Sequence, residues 1–183
     1  MMRMIAVRTA SVALCISAGL SAQHVSADKM ATSTPEHVLS GINVYSTNPT
    51  AVERRLGKPK KIKDEPQPDY PGSGFVYHWW EIDGVQLCAS LRYEPRNGRR
   101  VTSVLDVVEV WGTRPTKGGI GITGAGLALG DTLSDVRRHY GSSMSSSQRG
   151  RFLQIYWKDG TELEITIDDR GRINRMRLLA QLE

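Results

Sequence analysis

Cysteine is nearly absent from this chain: 183 residues contain two, Cys15 and Cys88. Only Cys88 lies beyond the N-terminal 27 residues, so no internal disulfide staples the remainder, and stability has to come from packing. Cys88 itself reads as a small strand residue rather than a reactive thiol. Histidine is sparse too. Of four histidines, the three beyond residue 27, His37, His78 and His139, stand singly, none with a second ligand at metal spacing, so neither a metal site nor a cofactor is expected. No Walker A sequence occurs. Gly119 to Gly124 fits G-x-G-x-x-G, but strands of a meander surround it where a βαβ unit is required, which excludes a dinucleotide site. No block of five or six like charges occurs, and the 24 basic and 19 acidic residues are dispersed, which argues against nucleic acid. No G-x-S-x-G elbow is present. The strand carboxylates Glu81, Glu109, Glu162 and Glu164 are too many and too regular to single out an acid–base pair. No catalytic residue is assigned, and a non-enzymatic protein is expected.

No acid precedes Asp28, whereas Arg3 and Arg8 precede an apolar stretch from Ala10 to Leu20. That stretch is too short to span a bilayer, and Val25-Ser26-Ala27 supplies small residues for cleavage. Residues 1–27 are therefore read as a signal peptide, with the product in the periplasm or secreted. Removing them from 183 leaves 156 residues, enough for one domain with a real core. The cleaved chain has 22 basic against 19 acidic residues, a net charge of only +3.

What the sequence does have is an internal echo. Trp80-Glu81-Ile82-Asp83-Gly84 and the strand to Leu91 are matched by Trp157-Lys158-Asp159-Gly160 and the strand to Ile167. Each copy follows a short helical pattern ending in glycine, Ala51–Gly57 and Ser134–Gly141. Asn48 with Pro49, and Asp131 or Thr132, are the expected caps. The expected fold is α+β: two tandem helix-plus-three-stranded antiparallel meander repeats, with the helices on one sheet face. The boundaries are 28–43 for an N-terminal segment, 44–112 for repeat one, 113–130 for a Gly-rich linker serving as hinge, and 131–183 for repeat two. Pro35–Leu39 is read as one helical turn. Lys60–Gly74 and Ser142–Arg151 are read as a Pro-rich and a Ser-rich loop.

Alternation assigns the faces. Val85, Leu87, Ala89 and Leu91, and Leu163, Ile165 and Ile167, point to the helices. Aligning Trp80 with Trp157 then turns Phe75, Tyr77, Trp79, Phe152 and Tyr156 to the opposite face, where water is expected. Either another layer covers these rings and they are core, or they form an aromatic surface for a protein partner. In the second case Arg92, Arg175 and Arg177 supply a polar rim.

The motif Leu56-Gly57-Lys58-Pro59 closing a short helix, followed by a meander with an Asp83-Gly84 hairpin, resembles the small outer-membrane lipoprotein family SmpA/OmlA. Two such units in tandem resemble the beta-lactamase inhibitor protein architecture. The likeness spans Val44 to the end. It implies a curved sheet able to grip a protein partner. Cys15 is poorly placed as a lipid anchor, and Cys88 alone cannot supply inhibitor-like disulfides, so neither a beta-lactamase target nor a role in outer-membrane assembly is implied.

The expected function is thus an exported, non-enzymatic protein-binding module of inhibitor, immunity or envelope-assembly type. The alternative is a structural protein associated peripherally with the envelope and self-associating as a homodimer. An enzyme with a site between the repeats, using His78 or Glu81, is a third reading.

Overall fold

A computed structural model describes residues 31, 33–45, 48–97, 99–141, 145–147 and 151–180. The expected signal peptide lies outside the described residues. A two-residue hairpin comes first, β1 (Val38–Leu39) with β2 (Ile42–Asn43). Helix α1 (Pro49–Leu56) is followed by β3 (Lys61–Pro66), β4 (Gly74–Ile82), β5 (Val85–Arg96) and β6 (Arg99–Trp111). Helix α2 (Leu133–Tyr140) is followed by β7 (Ser145–Ser147), β8 (Phe152–Tyr156), β9 (Thr161–Ile167) and β10 (Ile173–Ala180).

All eight long-range strands form one antiparallel sheet in the order β3-β4-β5-β6-β10-β9-β8-β7. This overturns the expected α+β fold of two helix-plus-three-strand repeats. Among the described residues the protein is mostly β, with two helices of eight residues each. Two physical reasons account for the difference. Lys61–Pro66 and Ser145–Ser147 pair as edge strands, β3 on β4 and β7 on β8. On β3 the side chains of both faces are largely exposed, and water on both sides erases the alternation that marks a half-buried strand. The two halves also do not close separately, because β6 zips onto β10 from Val107–Leu179 to Trp111–Arg175.

One row of cross-strand partners defines the covered face: Trp80, Leu87, Val110, Met176, Ile165 and Leu153. Every member is buried. Both helices pack here through Val52, Val136 and Tyr140, with Leu56 and Leu133 partly buried at the margin. Asn48 caps α1 by accepting from Ala51 N at 2.8 Å. Thr132 caps α2 in a reciprocal box with Asp135. The Trp80 indole donates to Gly57 O at 2.9 Å, so a buried ring holds the carbonyl at the end of α1. Trp80→Phe keeps an aromatic body but strands that carbonyl and opens a small void. A loss of about 2 kcal/mol in urea unfolding is expected, and a change below about 0.5 kcal/mol would show that water replaces the indole.

The N-terminal segment forms no helical turn over Pro35–His37, and Val38–Leu39 is a strand. Its hairpin turns at Ser40 and Gly41, both with positive φ (59° and 68°). A Cβ on Gly41 would fall 1.9 Å from the Arg55 guanidinium, which donates to Gly41 O at 2.9 Å. The hairpin then knits into the 113–130 segment. Ser40 N donates to Ile122 O, Gly121 N to Ser40 Oγ, and Gly124 N to Val38 O. Thr116, Ile120, Thr123, Leu127 and Leu129 are buried there. The segment read as a hinge is therefore a packed lid over the covered face.

The buried carboxylate of Glu36 completes this brace. Its two oxygens accept from Val38 N (3.0 Å), Gly124 N (3.1 Å), Ala125 N (2.9 Å) and the Tyr140 hydroxyl (2.9 Å). The consecutive amides of Gly124 and Ala125 close the G-x-G-x-x-G stretch, so a side-chain anion of the protein itself occupies that nest.

Candidate functional site

The opposite sheet face carries every residue singled out as a contact candidate. Strand pairing places Trp79, Cys88, Glu109, Arg177, Glu164 and Gln154 in one row. The next row is Tyr77, Ser90, Val107, Leu179, Glu162 and Tyr156. On the other side lie Glu81, Gln86, Trp111, Arg175, Thr166 and Phe152. Both helices are on the far side of the sheet.

Phe75, Tyr77 and Trp79 come together as a column along β4. Tyr77 stacks on Trp79 at 5.7 Å and lies 6.3 Å from Phe75. Phe75 and Trp79 are half-buried, whereas Tyr77 is buried beneath them. Cations cover the ends of the column: Lys61 lies 5.3 Å from the Trp79 ring and Arg92 5.9 Å from Phe75. Phe152 and Tyr156, both half-buried, sit on β8. Tyr77 and Tyr156 share a row but are five strand spacings apart, about 24 Å. The five rings therefore form two clusters at opposite flanks.

Charge fills the space between them. Arg175 is bound to Glu109 and lies 5.9 Å from the Trp111 ring. Arg177 donates to Glu164 at 3.2 Å, and Arg92 lies 3.3 Å from Asp106. Among and around these ion pairs, Glu109, Glu162, Asp106, Cys88, Ser90 and Leu179 are buried. Burial raises the Glu109 carboxyl above its usual range against the pull of Arg175 and Arg177. Asp106 is raised likewise against Arg92. Glu162 is pushed up to about 7, chiefly by burial and then by the Glu164 charge. Tyr156 is pushed up to about 12 by burial and by Glu162 beside it.

Several members of this face have no part in the expected site: Trp111, Val107, Leu179, Lys61, Lys63, Gln154 and the buried acids. Trp111 was recoverable, since Val108 and Val110 point inward and fix its outward phase. Lys61 and Lys63 were hidden by the reading of their strand as a loop. Elsewhere, His78 points to the covered side 3.6 Å from Glu53, and burial lowers its pKa despite that neighbour. Glu81 is an exposed partner of Lys60. His78 and Glu81 therefore share no catalytic cleft. A shallow opening of about 300 Å³ lies beside α1, lined by Arg55, Leu56, Ile82, Asp83, Thr116, Gly118 and Ile120. Among the described residues, no group of three His, Cys, Asp or Glu side chains is placed to hold a metal ion.

The geometry defines a mostly-β protein whose eight-stranded sheet has one helix-covered face and one aromatic and charged face. No family model matches the chain, and no curated protein matches it. Among solved structures it is similar to a DUF4309 family protein, YjgB, from Bacillus subtilis subsp. subtilis str. 168. That similarity has 14% identity and a TM-score of 0.39, over 81% of this chain and 88% of the other.

Proposed function

We propose that this protein is an exported, non-enzymatic protein-binding module of inhibitor, immunity or envelope-assembly type, and that the helix-free sheet face is its contact surface. The observation that carries this reading is the set of half-exposed rings held under cations on that face. Phe75, Trp79 and Trp111 each have a guanidinium or ammonium within 5.9 Å of the ring centroid. Large rings fixed in this way deliver contact area with little loss of side-chain entropy, and Trp, Tyr and Arg are enriched among the residues that anchor protein interfaces. The central ion pairs give the face a charge pattern that a partner must match. The Leu-Gly-x-Pro helix end and Asp-Gly hairpin that resemble SmpA/OmlA favour an envelope setting.

The test is capture from envelope extract followed by binding to the identified partner in purified form. Trp79→Ala and Phe152→Ala on the open face are each expected to weaken binding at least tenfold. Arg137→Ala, exposed on α2, is expected to leave it unchanged. Binding that survives both open-face substitutions would move the contact surface elsewhere.

A further inference from the structure

The two ends of the sheet differ. One ends in the three-residue β7, the other in the six-residue β3, which has no strand on its outer side among the described residues. An unpaired edge of this length is a template for another strand. We propose that β3 is a self-association edge, where two copies of the chain pair Lys61–Glu65 antiparallel about a two-fold axis at Lys63, so that the two eight-stranded sheets become continuous.

The strand's own charges select this partner and this register. Residues directly opposite in an antiparallel pair share a face, so the axis of a symmetric pair falls on a residue. An axis at Ile62 sets Lys61 against Lys63 of the second copy twice, which repels. An axis at Asp64 draws Pro66, which lacks an N–H, into the ladder. An axis at Lys63 sets Lys61 against Glu65 of the second copy twice and leaves Pro66 outside. The two Lys63 side chains then meet on the axis, each already paired to its own Glu65 at 3.2 Å.

Two further observations fit a second copy. The Glu65 carboxylate is partly exposed and paired on one oxygen to Lys63, and Lys61 of the second copy brings a second ammonium to it. Ile62 is 57% exposed on the helix side of the edge. In the pair, its counterpart in the second copy is a diagonal neighbour, within reach of a long apolar side chain. The columns of Phe75, Tyr77 and Trp79 would also lie three strand spacings apart across the axis, about 14 Å. Self-association of this kind is a separate proposal from the binding function above, since its ladder uses the edge, although Lys61 belongs to both, lying over the Trp79 ring of its own chain and opposite Glu65 of the second copy.

The test is sedimentation equilibrium of the purified chain at low salt over the micromolar range. A monomer–dimer equilibrium is expected. Lys61→Glu should raise its dissociation constant about tenfold, since each reversal creates two repulsive pairs. The double exchange Lys61→Glu with Glu65→Lys should restore it to within about threefold of the starting chain. Lys63→Cys should give a disulfide-linked dimer on mild oxidation, whereas Lys58→Cys should not. A chain that stays monomeric throughout overturns the proposal. So does a dimer indifferent to charge reversal but broken by Trp79→Ala, which would use the open face. Assemblies larger than two, or pairing of β3 only with a different protein, overturn it as well.

Discussion

Glu36→Ala is expected to destabilise the protein by about 2–4 kcal/mol, the cost of taking a charged acceptor away from buried donors. Glu36 is 5% exposed and holds four donors from three separate segments: Val38 N, Gly124 N, Ala125 N and the Tyr140 hydroxyl. Alanine leaves the Val38 and Ala125 amides facing a void, each at a desolvation cost of about 1–3 kcal/mol, whereas Gly124 N keeps Val38 O at 2.8 Å. Relaxation and entering water offset part of that sum. Tyr140 is bound also to Thr123 Oγ1 at 2.9 Å and so keeps one partner. Tyr140→Phe should therefore cost only about 1 kcal/mol. Glu36→Gln is the discriminating variant. It preserves shape but turns an NH2 group toward donors, so it should fall between wild type and alanine. Urea unfolding measures all three, and in a thermal melt the alanine variant should lose about 10 °C. If Glu36→Ala and Glu36→Gln both remain within about 1 kcal/mol of wild type, less than a single unmade buried bond should cost, the brace is not a stabilising element.

Glu36 escapes a reading of the sequence because its partners lie 88 and 104 positions away, and no local pattern announces them. Pro35 to Leu39 looks like a helical turn because proline, acid and spaced apolar residues are what a first turn requires. Tertiary bonds to the 113–130 segment outweigh that weak local preference. What was legible came from short-range physics. The caps at Asn48 and Thr132, the Asp83-Gly84 turn with φ of 48° and 80°, and the inward phase of Val85 to Leu91 each follow from a few neighbouring residues. The outward phase of Phe75, Trp79, Phe152 and Tyr156 was legible for the same reason. Their separation into two flanks was not, because it depends on β6 joining β10, a pairing between distant segments. β3 was missed because Lys61, Lys63, Asp64 and Glu65 put charge on both sides, as an edge strand allows.

Glu162→Gln should stabilise the protein in alkaline solution and leave it unchanged in acid. Glu162 is 7% exposed and receives the Gln154 amide at 2.9 Å, while Glu164 on the same face is its nearest like charge. Arg177, the cation within reach, donates to Glu164. Burial first, and Glu164 second, raise the Glu162 carboxyl from an ordinary 4.5 to about 7. In the unfolded chain it titrates near the ordinary value. Between these two values the folded state binds more protons than the unfolded state, so stability from this group falls as pH rises from about 4.5 to 7. Below that window the acid is neutral in both states, and glutamine changes little. Above it the wild type holds a buried charge that glutamine lacks. The full difference has a ceiling of about 3 kcal/mol, because displacing a titration by one pH unit corresponds to about 1.4 kcal/mol. Asp106 and Glu109 are raised in the same direction, so some downward slope should persist in the variant. Urea unfolding at pH 5, 7 and 9 separates these contributions. Equal stability of the two proteins at pH 9 would mean that Glu162 ionises without penalty, with Tyr156 and Gln154 solvating the carboxylate as well as water does. A gain confined to high pH would show that the centre of the open face is neutralised by a proton at Glu162. A partner docking there would then meet one fewer negative charge below pH 7 than above it.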